Sequence, residues 1–182
     1  GYVGGGVASQ FDGLTVNPTG NLGLLIAVFD GSGNWLWANE YSGPHSTSEV
    51  RAFDIASDAS SIYVTGDFKR SVTVDGVTYD AYAGNSITAS MRDLIVMKVD
   101  YSGNYLWSQF SQGGHQHDGG RAIALDAASN VYIGGLHSNN APFGNTVLQN
   151  QNCQVGNGYN PSEGLIAKLV FNGNWEWAFS NH

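Results

Sequence analysis

The sequence predicts an all-β fold of three four-stranded, propeller-like blades, the first lacking its leading strand. Two observations carry this reading. Gly33, Gly103 and Gly173 lie at intervals of 70 residues, and each is followed by Asn, an aromatic residue, one further residue and Trp. Between these markers, short runs of Val, Ile, Leu, Tyr and Trp alternate with Gly, Asn, Asp and Ser, the residues of strands and of turns. A repeated unit decides what counts as a domain, so the period comes before any local reading. The chain reads as one repeat β domain, 1–182, with units of about 1–45, 46–115 and 116–182.

The elements follow in order. A leading block, "RAFDIASDAS" from Arg51 and "RAIALDAAS" from Arg121, opens the second and third units only. The next block is "YVGG" at 2–5, "IYVTG" at 62–66 and "VYIGG" at 131–135. The third is "LIAVF" at 25–29, "LIVMKV" at 94–99 and "LIAKLV" at 165–170. In the third unit this places strands at 122–125, 130–135, 164–170 and 174–179. The repeated Gly supplies positive φ for a tight hairpin between the last two strands, with Asp30 and Asp100 as first turn residues. Trp35 and Trp37, Tyr105 and Trp107, and Trp175 and Trp177 are each two apart, which on a regular strand puts each pair on one face. Such pairs fit a layer packed between adjacent sheets, or a sugar or surface contact where one pair is exposed.

Composition narrows the function classes. Charged residues are only 12% of the chain while hydrophobic residues are 42%, so the polar surface is built from Asn, Ser, Thr, Gln and Gly. The formal net charge is −8 and the sequence contains no run of Lys and Arg, which leaves a nucleic-acid partner without an electrostatic footprint. No apolar run approaches the length of a membrane-spanning helix. A single cysteine, Cys153, excludes an intrachain disulfide framework. Low charge with abundant amides, hydroxyls and aromatics points to an extracellular or cell-surface location.

The ordered blocks "RAIALDAASNVYIGG", "FGNTVL" (143–148), "GLIAKLV" and "GNWEW", matched in the second unit by "FDIASDASSIYVTG", "VTVDGVTY" and "DLIVMKVDYSGNYLW", resemble the bacterial seven-bladed β-propeller repeat family (SBBP-type). The resemblance spans nearly the whole chain. It implies a propeller scaffold, commonly extracellular or on the cell surface, and brings no catalytic residue. Val28 departs from Lys98 and Lys168 at its position, and the third unit carries an insert at 149–162.

Candidate chemistry is sparse. Asp58 and Asp126 precede turns at equivalent positions and read as turn caps rather than as a carboxylate pair. His115, His117 and Asp118 form the densest polar cluster and are the candidate metal ligands. No EF-hand pattern is present and no cofactor is required, although backbone carbonyls in the long loops leave room for a structural calcium ion. No catalytic constellation emerges.

Three blades, about eleven strands, are too few for a ring. The sequence therefore predicts completion either by another chain, through strand or blade complementation into an oligomer or filament, or by missing sequence, the three units then being a cut from a longer array. The residues expected at such contacts are Tyr2, Val3, Trp35, Trp37, His45, Tyr105, Trp107, Trp175, Trp177 and His182. An extracellular structural protein whose partners are copies of itself is the leading expectation. A secreted β-propeller module binding an extracellular glycan is the alternative, and a polysaccharide-active enzyme the third.

Overall fold

The computed structural model describes residues 1–5, 8–81, 91–111, 117–138, 140–149 and 162–181. The first unit contains β1 (Tyr2–Gly4), β2 (Ser9–Phe11), β3 (Leu14–Val16), β4 (Leu22–Phe29) and β5 (Trp35–Tyr41). The second contains β6 (Glu49–Ser57), β7 (Ser61–Lys69), β8 (Ser71–Val74), β9 (Val77–Asp80), β10 (Arg92–Asp100) and β11 (Tyr105–Phe110). The third contains β12 (Gly119–Leu125), β13 (Val131–His137), β14 (Ala141–Phe143), β15 (Thr146–Leu148), β16 (Glu163–Leu169) and β17 (Trp175–Ser180).

The all-β expectation holds, and the propeller does not. Among the described residues the strands form five sheets, none closed or curled into propeller blades. The first two units are not separate blades: a parallel pairing of β4 with β6 at Leu22 and Glu49 joins them into one seven-stranded sheet, β1-β4-β6-β7-β10-β11 with β5 on β4. The third unit forms its own antiparallel sheet, β12-β13-β16-β17. The resemblance to the seven-bladed propeller repeat family is corrected on the same ground, because the sheets are open. Its ordered blocks mark strands and turns, and these do not dictate how successive units are set against one another.

Three two-stranded hairpins, β2–β3, β8–β9 and β14–β15, add to the strands read from the sequence. Two of them turn on Asp-Gly, with φ of 44° and 92° at Asp12 and Gly13 and of 50° and 75° at Asp75 and Gly76. Positive φ at both central residues is the geometry that matches strand twist in a two-residue hairpin.

The core lies between successive units. Leu24, Ile26 and Tyr41 of the first unit share one apolar cluster with Ile95, Met97 and Val99 of β10, together with Val64, Phe68 and Val72. Leu94 and Val96, the alternate residues of the same strand, share a second cluster with Ile133, Phe143, Leu165 and Leu169 of the third unit. β10 is thus buried on both faces at its centre, and this is why Leu94 to Met97 read as an unbroken apolar run rather than an alternating one.

Candidate functional site

The aromatic pairs at the last hairpin of each unit do not share a face. Val99 pairs with Tyr105 and Lys98 with Trp107, so Leu106 is an extra residue in a β-bulge. The same shift recurs at Val28/Phe29 against Trp35 and Trp37, and at Lys168/Leu169 against Trp175 and Trp177. Each bulge sends the two aromatics to opposite sides. Tyr105 packs on the first apolar cluster while Trp107 packs on the second. Leu36 and Leu106 are left exposed as the bulged residues.

Through this device each unit holds the next. The Trp37 indole donates to the Tyr101 carbonyl at 2.8 Å, and its ring lies so close that a Cβ on Gly103 would come within 3.0 Å of it. Trp107 repeats the contact, donating to the Phe171 carbonyl at 3.3 Å, with its ring 2.7 Å from a Cβ built on Gly173. A tryptophan on one unit therefore clasps the glycine hairpin of the unit 70 residues on. Glycine is needed at these hairpins twice over, for φ of 85° and 90° and for the approach of the ring.

The third unit carries the same tryptophan on an open face. Trp177 lies against Tyr132 with centroids 6.1 Å apart and rings at 63°, matching Trp107 against Tyr63 at 6.1 Å and 66°. Lys168 sits over the Tyr132 ring at 5.6 Å as Lys98 sits over Tyr63 at 4.8 Å. In the second unit this arrangement is covered: Tyr63, Leu94 and Val96 are fully buried. In the third, Ile166, which stands where Val96 does, is 58% exposed, and Phe179, its cross-strand partner, is 65% exposed. At the opposite end, the hairpin of residues 30–34 has φ of 89° at Gly33, and a Cβ on Gly31 or Gly33 would meet nothing within 4 Å. Phe29 beside it is 61% exposed.

A charged cluster ties the second unit to the third. The fully buried carboxylate of Asp67 accepts two hydrogen bonds from Arg51, both at 2.8 Å, one from Arg92 at 2.9 Å and one from Arg121 at 3.2 Å. Glu49 pairs with Arg92 and with Lys69, the latter at 3.4 Å. The guanidinium carbons of Arg121 and Arg51 lie 4.0 and 5.2 Å from the Phe53 ring centroid. Four of the seven basic side chains gather here from β6, β7, β10 and β12. No run of cations marks the cluster in the sequence, because each strand supplies one; the 70-residue spacing of Arg51 and Arg121 was its signal. In the third unit the position of Asp67 is taken by His137, fully buried, with Nε2 3.7 Å from Glu163 Oε2.

The remaining predicted residues scatter. His117 is exposed and bridges Arg92, whereas Asp118 is buried, with Oδ1 accepting the Ser138 N–H at 2.8 Å and Oδ2 lacking a hydrogen-bond partner among the described residues. Burial pushes the Asp118 carboxyl up to about 7. His115 and His182 lie outside the described residues, and His45 is exposed in a turn. Among the described residues no group of three His, Cys, Asp or Glu side chains is placed to hold a metal ion. Tyr2 is 62% exposed on β1 and Val3 is buried. Trp35 packs edge-on against Phe11 and Phe29 at 5.4 and 5.5 Å, and Trp175 against Phe143 at 4.9 Å. Asp58 and Asp126 accept hydrogen bonds from N–H groups of their own turns, Ser60 and Ser61 in one case and Ala128 and Asn130 in the other. Ile166 and Phe179 were not among the predicted residues, since an alternating apolar strand gives no sign of which face is left open.

No protein-family model matches this chain, and no curated protein matches it.

Proposed function

We propose that this chain is an extracellular structural protein that assembles with copies of itself into an oligomer or filament. The observation that carries this reading is the face of the third unit that exposes Ile166, where Trp177, Tyr132, Lys168 and Ile166 repeat the arrangement of Trp107, Tyr63, Lys98 and Val96, in which Tyr63 and Val96 are fully buried. Fully burying an exposed Ile or Phe is worth about 1.5–3 kcal/mol, so a face on which Ile166 and Phe179 are 58% and 65% exposed has part of that driving force for association from each. Low charge and an amide-rich surface favour the extracellular or cell-surface setting.

Sedimentation velocity from low to high micromolar concentration, with negative-stain electron microscopy of the same samples, tests the reading. Concentration-dependent growth into regular particles is the expected result, and a protein that stays monomeric throughout overturns it. A second reading, binding of an extracellular glycan, is favoured by an open groove of about 530 Å³ whose lining includes Asn17, Asn39, Glu40, Asn104 and Tyr105. Saturable binding on a glycan array by protein that remains monomeric would select it.

A further inference from the structure

The contact that joins successive units has two halves, and one half recurs uncovered on the third unit and the other on the first. Within the chain that contact has a donor side, with Trp37 or Trp107 reaching out of a bulged strand, and an acceptor side, the hairpin whose carbonyl takes the indole proton and whose glycine receives the ring. It has a polarity too: the residues of β10 that face the third unit are Leu94 and Val96, and those that face the first are Ile95, Met97 and Val99. In the third unit the face corresponding to Leu94 and Val96 is the open one, displaying Ile166. In the first unit Leu24 and Ile26 are engaged with the second unit, so Leu25, Ala27 and Phe29, which alternate with them, point the other way. Among the described residues the third unit thus presents a donor with no acceptor against it, and the first an acceptor with no donor against it.

We infer that a second copy of this chain docks head to tail, with Trp177 of one copy clasping the 30–34 hairpin of the next, its indole N–H donating to the Gly31 carbonyl and its ring lying on Gly33. Gly31 stands 70 residues before Tyr101 and 140 before Phe171, the two residues whose carbonyls accept from Trp37 and Trp107. The inference rests on the self-assembly proposed above and adds its geometry. A heterologous contact of this kind leaves a fresh donor and a fresh acceptor after each addition, so it grows until the rotation closes a ring, or without limit as a filament where it does not close.

The test uses two variants of the full chain that each disable one end. Ile166→Glu places a charge on the donor face at a solvent-exposed position, and Gly33→Asn fills the space the ring requires with a residue that tolerates positive φ. Circular dichroism and urea midpoints establish that both fold; Trp177→Phe, which keeps a ring and removes the N–H, replaces Ile166→Glu if that variant does not. Each variant alone is expected to remain monomeric, and an equimolar mixture to form one-to-one dimers and nothing larger, because each mixed pair retains one intact contact. Dimers of Gly33→Asn alone would reveal a symmetric contact between donor faces, and growth of either variant like the unaltered chain would place the interface elsewhere; both outcomes overturn the polarity while leaving self-association standing. An unaltered chain that does not associate removes the underlying reading instead.

Discussion

Asp67 stands in a different energetic position from the cations around it. Its carboxylate is fully buried and answered by three guanidinium groups, and removing one partner of a buried pair leaves the others uncompensated. Asp67→Ala is expected to cost about 3–5 kcal/mol of unfolding free energy, read from urea denaturation. Arg121 is 39% exposed, so Arg121→Ala is expected to cost about 1 kcal/mol or less. Asp118 gives a pH signature. The folded protein holds its carboxyl proton up to about pH 7, whereas the unfolded chain releases it near 3.8, so between these values the folded state binds more protons and stability falls as pH rises. Across that window the loss amounts to at most about 4 kcal/mol. Asp118→Asn removes it: relative to the unaltered chain the variant should gain stability steadily from about pH 4 to pH 7, and urea midpoints at four or five pH values would register the trend.

Among elements, the hairpins separate conformational strain from packing. At Gly173 an added Cβ meets both a φ of 90° and the Trp107 ring at 2.7 Å; at Gly33 it meets a φ of 89° and empty space. Gly33→Ala should therefore cost the backbone strain alone, about 1–2 kcal/mol, and Gly173→Ala that amount plus the displacement of the ring, about 1–3 kcal/mol more. Comparison of the two thermal midpoints in monomeric, dilute samples checks the difference. The same hairpins show how far sequence reasoning reaches. The strands of the third unit fall within a few residues of their expected positions because Gly, Asn and Asp fix the turns on either side. The bulges escape it: Tyr105 and Trp107 are two apart in sequence, and nothing in that spacing says that Leu106 is squeezed out of the ladder and the aromatics turned to opposite faces. The hairpins β2–β3 and β8–β9 lie outside the four-strand unit the repeat suggested, although Asp12-Gly13 and Asp75-Gly76 carry a standard signal for a two-residue turn. The tryptophans that clasp neighbouring units were legible by type and position, while the acceptor carbonyls opposite them were not, since a backbone oxygen leaves no mark in composition.

At the scale of the whole molecule, a repeat establishes that units contact one another in the same way and leaves open whether the series closes. Whether it closes depends on how each unit is set against the next, and here the answer is open sheets with the first two units merged at Leu22 and Glu49. A chain carrying a net charge of −8 repels its copies, while the proposed contact is mostly apolar. Assembly should accordingly survive, and be favoured by, an increase from about 0.05 to 0.5 M salt, which screens the repulsion; light scattering at fixed protein concentration would detect it. Dissolution by salt would point to an interface held by charge. The merged sheet also has a mechanical consequence. The resistance of a β ladder to shear grows with the number of hydrogen bonds loaded together; β7 and β10 are paired along the full length of β10, whereas β4 meets β6 at one pairing, where the Ser48 carbonyl takes the N–H of Asn21 and of Leu22. Pulled from its ends, the chain would yield first between units, at that seam and at the boundary of the second and third units, which share no ladder among the described residues. The units would swing apart while each kept its own ladders, lengthening the subunit before any strand unravelled and giving an assembly built from it a reversible stretch.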